Sequence, residues 1–495
     1  MSAKIPWLIL GASILILGFY FLFFGKIQIA GDIVEYYGMT VSILNHGDVS
    51  LRNSDKTDIE KYLPAAYFSD PQYYMVGANQ VRYPVHFPFY AYLLIPSRII
   101  LSLMGANPML SFPLTNILIL ASVLIYAFRK YIKEPDKRLF LLFLVYFSPL
   151  IFFLGWPGPE IYYTGLIFIS ILAFISGEYF LSAFFSALAS WQSQPLIVVS
   201  FITVIYMVID TLVKFKKNRV AEKNSNNYLL VIKSLSILLL MFIPYVFSYF
   251  QFGLLTPWTN IRNGWTEING FGLQNISLKK LFEQFFDLNM GLFWYAPFTL
   301  VIGFYYLIKR IIVDNKAVFL SAIYLVTAFF YQTNPAWNYG TAGYGPTRHI
   351  VYILPLFIVL AIDFLHEKKL SIITSIIFFI LLCLQTISMN MNGWVNPDFR
   401  NSLRNNYYAI YILDNFPSLY NPTPEIFVDR TNQTDLDHPT SGFYKYKGYC
   451  TKAYVLSDEL NNLENQCGYI PTEQKKSIIA GLKTLNPYQG IYVNY

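Results

Sequence analysis

Apolar runs long enough to cross a bilayer recur along this chain, and they constrain its fold more than any other feature. The first covers Pro6 to Phe24. Others cover 111–131, 139–154, 161–175, 179–190, 195–213, 228–250, 291–308, 317–331, 349–364 and 371–388, about eleven in all. A hydrocarbon core takes roughly 20 helical residues to cross. In lipid every backbone polar group must be paired inside the element that carries it, so runs of this kind become helices. The expected class is therefore an all-α polytopic membrane protein. Composition agrees: 55% of the 495 residues are hydrophobic and 13% are charged, about half the usual share of roughly 25% in soluble domains. Aromatic residues make up 18%, which suits many membrane interfaces. The net charge of +7 sits in short loops between apolar runs and gives no reason to expect nucleic acid as a partner. The first run lacks a small-residue cleavage site and reads as a retained span or signal anchor.

Charge placement sets the expected topology. The loop from Arg129 to Arg138, the loop from Lys214 to Arg219, the Lys309, Arg310 and Lys316 group, and Lys368 with Lys369 are all basic. All fall on the cytoplasmic side if the N-terminus, with Lys4, is cytoplasmic. The long loop over 25–110, the loop over 251–290 and the tail then face outward. The run FPFYAYLLIPSRIILSLM, residues 87–104, tests this scheme, because counting it as a span would invert everything after it. Pro88, Pro96 and Arg98 disfavour a straight lipid-exposed helix there, so it is expected as an interfacial or re-entrant helix on the outer surface. Residues 1–389 then form the membrane domain and 390–495 a small periplasmic domain. An oxidising compartment permits a disulfide between Cys450 and Cys467 in that tail; two separate thiols are the alternative.

The chain has no GxxxxGK[ST] phosphate loop, HExxH, CxxC or GxSxG. It shows no Asp/Glu/His cluster that demands a metal, and no cofactor is implied. Energy for chemistry would have to arrive with an activated substrate. Asp32 and Glu35 lie three residues apart just past the first run, on one face of any helix that starts there. They read either as a helix cap with a solvated carboxylate or as a general base at the membrane surface. Asp48, in Asn45-His46-Gly47-Asp48, has the chemistry of a turn residue. Glu160, in Gly155-Trp-Pro-Gly-Pro-Glu160, falls at the outer mouth of a span. It either favours the helix N-terminus or belongs to a site. Arg348 follows the Gly-rich stretch Tyr339-Gly-Thr-Ala-Gly-Tyr-Gly-Pro-Thr and can clamp a phosphate or reach to lipid headgroups. Arg82 and Arg262 are further phosphate candidates. Tyr36, Tyr37, Trp156, Trp258, Trp337 and His349 complete the residues placed to touch a sugar or its acceptor, an interfacial belt being the ordinary reading of the tryptophans.

In their order along the chain, these pieces resemble the GT-C membrane glycosyltransferases of bacteria. Gly31-Asp32-x-x-Glu35-Tyr36-Tyr37, Ser42 to Asp48, and Arg82-Tyr83-Pro84 with Pro88-Phe89-Tyr90 resemble that family's first outer loop. Gly155 to Glu160 resembles its second acidic site. Tyr339 to Arg348, followed by Tyr352-Ile-Leu-Pro355, resembles its late Gly-rich segment, with Pro-Thr-Arg here in place of Pro-Arg. The resemblance implies a polyprenyl-phosphate-sugar donor and transfer with inversion. Asp32 would act as base, Glu35 or Glu160 would orient the acceptor, and Arg348 with Arg82 would stabilise the leaving phosphate. The layout is most similar to O-antigen-modifying glucosyltransferases of Gram-negative bacteria and their phages. That implies undecaprenyl-phosphate-glucose as donor, a lipopolysaccharide glycan as acceptor, and the bacterial inner membrane as location. Glycosyl transfer to protein or lipid A, an O-antigen polymerase or ligase, and a lipid-linked-sugar transporter are the alternatives. A polymerase or ligase would carry its large outer loop late in the chain, and a transporter would favour ionisable groups at mid-membrane.

Overall fold

The computed structural model describes residues 3–25, 32–63, 74–217, 225–257, 272–334, 345–367, 372–391, 403–433, 439–483, 485 and 489–495. The chain divides into two compact units. One comprises Met1–Ile261, Phe298–Phe330 and Val351–Cys383; the other comprises Arg262–Pro297, Tyr331–Ile350 and Leu384–Tyr495.

In chain order, the helices of the first unit begin with α1 (Ile5–Phe23), α2 (Ile33–His46) and α3 (Asn53–Glu60). A short antiparallel hairpin, β1 (Tyr74–Val76) and β2 (Arg82–Pro84), comes next. Then follow α4 (Phe89–Leu103), α5 (Ser111–Lys130), α6 (Pro135–Tyr146), α7 (Leu150–Leu154), α8 (Glu160–Ile175), α9 (Tyr179–Ser190), α10 (Ile197–Lys217) and α11 (Ser225–Phe252). After α12 (Leu278–Phe286) and α13 (Leu292–Tyr295), which belong to the second unit, come α14 (Pro297–Ile311), α15 (Asn315–Tyr331), α16 (Leu354–Glu367) and α17 (Ile372–Met391).

Among the described residues, 4 helices are long and apolar enough to cross a membrane: Ile5–Phe23, Pro108–Lys130, Gln194–Val213 and Leu230–Phe252. Shorter apolar helices cover the expected runs at 161–175, 179–190 and 317–331, and proline explains why two of the expected runs are not single helices. The run over 139–154 divides into α6 and α7 at Ser148-Pro149, because proline lacks an N–H and pushes the residue before it out of helical geometry. The Ser148 hydroxyl then donates to the Val145 carbonyl and accepts the Leu150 N–H. The run over 291–308 divides between α13 and α14 at Ala296-Pro297, where Ala296 has φ −141° and ψ 47°.

The basic loops of the first unit meet at one end of its helices. Lys137 pairs with Asp363 at 3.0 Å, His366 with Asp136 at 3.0 Å, and Lys130 with Glu178 at 2.7 Å. Lys316 donates to the Ile175 carbonyl at 3.1 Å. α5 and α8 both finish at this basic end, where Lys130 meets Glu178. Both therefore start, at Ser111 and Glu160, at the other. α4 has 15 residues, about 22 Å at 1.5 Å per residue. Its Arg98 is buried against α2, with the guanidinium 4.4 Å over the Tyr37 ring and hydrogen-bonded to Thr40. The opposite face of α4 leaves Ile99, Ile100 and Leu103 exposed.

The second unit corrects the all-α expectation. Alongside α12, α13, α18 (Tyr407–Asn415), α19 (Pro424–Asn432), α20 (Leu460–Cys467) and α21 (Thr472–Leu482), it holds an antiparallel sheet ordered β3 (Gly442–Tyr446), β4 (Tyr449–Leu456), β5 (Gly490–Asn494). Lys447 and Gly448 close the β3–β4 hairpin with φ of 50° and 87°, the handedness that matches strand twist. Ala453, Val455 and Val493 pack on Leu463, Ile478 and Leu482 on one face of the sheet. Tyr454 and Leu456 pack on Leu413, Phe427 and Val428 on the other. Cys450 and Cys467 are joined as a disulfide between β4 and the end of α20. The tail is not a body by itself, since this unit also takes in 262–297 and 331–350.

Candidate functional site

Asp32 stands at the N-cap position of α2, where its carbonyl accepts the Tyr36 N–H at 3.0 Å. Its carboxylate makes no capping bond to the helix, and its side chain is 14% exposed. Glu35, one turn on, is 0% exposed, so the reading of it as a solvated carboxylate fails. Both of its oxygens are engaged by His86. The His86 backbone N–H donates to Oε1 at 2.5 Å, and the ring Nδ1 lies 2.6 Å from Oε2. With Glu35 ionised, its oxygen accepts from Nδ1, which then carries the proton. The other ring nitrogen, Nε2, then faces Asp32 at 3.9 Å from Oδ2. Burial pushes the Glu35 carboxyl above its ordinary range, the charge and hydrogen bonds of His86 pull it back, and Asp32 adds to the rise. Glu35 therefore holds His86 through both of its carboxylate oxygens.

The β1–β2 hairpin carries His86 to this place. Gly77 and Val81 close its turn with a 2.7 Å hydrogen bond, and the Leu51 N–H donates to the Arg82 carbonyl at 2.9 Å. Tyr74 on β1 lays its hydroxyl against α2, 3.3 Å from the Glu35 carbonyl. Gly38 makes that approach possible, because a Cβ there would collide with the Tyr74 hydroxyl. On the far side Gln192 holds the next residue, its Nε2 donating to the Phe87 carbonyl at 2.8 Å while Oε1 accepts from the Tyr36 hydroxyl at 2.9 Å. The Tyr36 ring lies 5.6 Å from the imidazole.

A chain of buried contacts extends from Tyr36 towards Glu160. Tyr36 meets Tyr90 edge-on at 5.2 Å, and Tyr90 donates to Asn116 at 2.8 Å. Asn116 in turn ties down the carbonyls of Phe153, Leu154 and Trp156 at 3.0–3.3 Å. These flank the loop that starts α8. Glu160 is 2% exposed and Trp156 4%. Gly158 between them is required, since a Cβ there would meet the Glu160 carboxylate and, at 2.6 Å, the Trp156 indole nitrogen. Along α8 from Glu160, Ile161, Thr164 and Phe168 line a small, mostly apolar cleft with Leu120, Leu150 and Pro355.

Tyr37 faces Arg98 and Tyr62, away from His86. Asp48 lies at the opposite end of α2, bonded to Ser50 and paired with Arg52 at 2.7 Å. Arg82 lies in the hairpin opposite Val76. Arg348 and His349 belong to the second unit, where the Thr347 N–H donates to the Met290 carbonyl at 3.0 Å and the His349 ring lies 5.9 Å from Tyr331. Arg262, Trp258 and Trp337 lie outside the described residues. Among the described residues no group of three or more His, Cys, Asp or Glu is arranged to hold a metal ion. His86 is the residue that sequence reasoning missed. It is one of 5 histidines and sits in no recognised motif. Its one signal is position, two residues after Arg82-Tyr83-Pro84.

No protein-family model and no curated protein sequence matches this chain. Its fold is similar to that of ArnT from Cupriavidus metallidurans, in crystal structures of the apo state and of the form bound to undecaprenyl phosphate. Identity is 13% and 14%, and the TM-score is 0.41 in each case. The match covers 75% of this chain and 61% of ArnT.

Proposed function

We propose that the chain is an inverting glycosyltransferase that moves a sugar from a polyprenyl-phosphate carrier to a cell-envelope acceptor. One observation carries the reading: Asp32, partly exposed at the start of α2, has His86 beside it and Glu35 buried behind. The site gathers at the end of the first unit where α5 and α8 begin, opposite the basic loops. The positive-inside rule puts those loops in the cytoplasm and the site on the outer face.

In this reading Asp32 takes the proton of the acceptor hydroxyl as its oxygen attacks the anomeric carbon. The bond from that carbon to the carrier phosphate breaks on the opposite face, so configuration inverts. Charge grows on the phosphate as it leaves, and Arg348 with Arg82 is given the task of stabilising it. Glucose on undecaprenyl phosphate and a lipopolysaccharide O-antigen are the specific donor and acceptor proposed.

The test is transfer by the purified full chain from synthetic polyprenyl-phosphate sugars to isolated envelope glycans. Transfer by the native protein, lost in Asp32→Asn while donor binding persists, is the expected result. Full activity in Asp32→Asn removes Asp32 as base.

A further inference from the structure

In the second unit, α12 is amphipathic with its faces reversed for a body surrounded by water. Its sequence, LKKLFEQFF, puts Leu278, Phe282 and Phe286 on one stripe and Lys279, Lys280, Glu283 and Gln284 on the other. Glu283 and Gln284 are buried, whereas Leu278 is 77% and Phe282 62% exposed. Phe286 and, just before the helix, Leu273 are exposed as well. We infer that this apolar face is a membrane-docking surface: α12 lies along the lipid–water interface and seats the second unit on the bilayer.

Specific bonds hold the polar face inward. The Thr423 hydroxyl donates to Glu283, and Lys279 donates to the Pro422 carbonyl at 3.0 Å. Asp287, which ends the helix, accepts the Tyr420 hydroxyl at 2.9 Å and the N–H groups of Asn289 and Met290. Rolling the helix to hide its phenylalanines would strand two buried carboxylates, so the outward apolar face is built into the fold.

Continuity with a membrane helix identifies what covers that face. Phe282 meets Phe286 at 5.0 Å, Phe286 meets Phe293 at 5.6 Å, and Phe293 meets Trp294 at 5.4 Å. The Ser388 hydroxyl of α17 donates to the Trp294 carbonyl at 2.8 Å. α17 is one of the apolar helices of the chain, and its last turns, which belong to the second unit, expose Leu384, Ile387 and Met391. The stripe on α12 therefore runs on to the end of a helix whose outer surface meets lipid. Trp294 and Tyr408 lie 4.8 Å apart at this junction, and both residue types are favoured where lipid meets water. Lys279, half-exposed at the edge of the stripe, is placed to reach headgroup phosphates. With 9 residues, about 13 Å, α12 is too short to cross a bilayer. A helix of this kind lies flat, its apolar face roughly 5–10 Å into the boundary between headgroups and acyl chains.

The test places a nitroxide on the stripe of the full chain in nanodiscs of phosphatidylethanolamine and phosphatidylglycerol. Cys383→Ser removes the free thiol, since Cys450 and Cys467 are joined. Labels at Leu278→Cys and Phe282→Cys are then read by their collisions with oxygen, which partitions into lipid, and with a water-soluble nickel chelate. Leu384→Cys on α17 supplies the lipid reference, and Glu473→Cys on α21, where the side chain is 87% exposed, the water reference. Both stripe labels should lie roughly 5–10 Å below the phosphates, with the oxygen preference of Leu384→Cys. Collision rates like those of Glu473→Cys overturn the inference. Shielding from both reagents overturns it too, because protein then covers the face: a second copy where the labels broaden one another, a segment of the same chain where they do not. Should one of the two variants lose the fold, the other carries the same test.

Discussion

The two ends of α2 each set an imidazole between two carboxylates, and the difference lies in what else those carboxylates do. At the C-terminal end His46 lies 2.9 Å from Asp55 and 3.2 Å from Asp48. Asp55 also accepts from Ser42, Asn45 and the Arg52 N–H, at 2.9–3.1 Å. Asp48 takes the Ser50 N–H and hydroxyl and pairs with Arg52. Asp55 is fully buried at the centre of that network with both oxygens engaged, and satisfied buried polar groups hold a fold in one shape. At the N-terminal end one carboxylate, Glu35, is saturated by His86, while the other stands 3.9 Å from the ring at the surface. The same three residue types thus serve as a staple at one end of α2, and at the other as a candidate reaction site in which one carboxylate keeps some contact with solvent.

Asp32→Asn is the most damaging way to probe this contrast. It should cut transfer by about 10² to 10⁴ with little change in thermal stability, whereas Asp48→Asn should change transfer less than about twofold. Equal losses in the two variants would erase the distinction between the two ends.

Asp55→Ala should act on stability. It strands several donors around one buried position, and a loss of about 2–4 kcal/mol is expected by denaturant or thermal unfolding. Transfer per folded molecule should be unchanged.

Acid should find the same end of the helix. Burial raises the Asp55 carboxyl, but the Arg52 N–H, His46, Asn45 and Ser42 outweigh it and hold the group below its ordinary value. A depressed pKa contributes stability that is complete above the unfolded value, about 3.9, and is lost as pH falls through the folded one. Unfolding midpoints followed downward from pH 5 should fall in the native protein and stay flatter in Asp55→Asn.

Gly38→Ala is the mildest probe. Its methyl pushes the Tyr74 hydroxyl, and with it the hairpin that carries His86, away from α2. A loss of about 1–3 kcal/mol is expected, together with reduced transfer. Tyr74→Phe in the same chain should restore part of both. Unchanged transfer in a Gly38→Ala protein that has lost stability would separate the hairpin from the site.

Much of this molecule was legible from residue order. Burial of backbone polar groups in lipid leaves long apolar runs one outcome, so the helices around Ile5–Phe23 or Ser111–Lys130 could be read directly. The breaks at Pro149 and Pro297 follow from a missing N–H. The β3–β4 hairpin was harder, because its strands are short and its alternation mixes Tyr and Lys with apolar residues. In the site, Asp32, Glu35 and Glu160 stood out because carboxylates beside apolar runs are costly and therefore conspicuous.

Sequence spacing by itself determined that Asp32 and Glu35 share a face of α2, since helix periodicity is local. It could not say that Glu35 is sealed from water while Asp32 is not, nor that His86, fifty-one residues further on, closes the pair. Those facts depend on a hairpin folding back onto α2 and on Gly38 admitting Tyr74. Burial and long-range pairing arise only when distant segments pack, and at that step tertiary structure gives two similar carboxylates different chemistry.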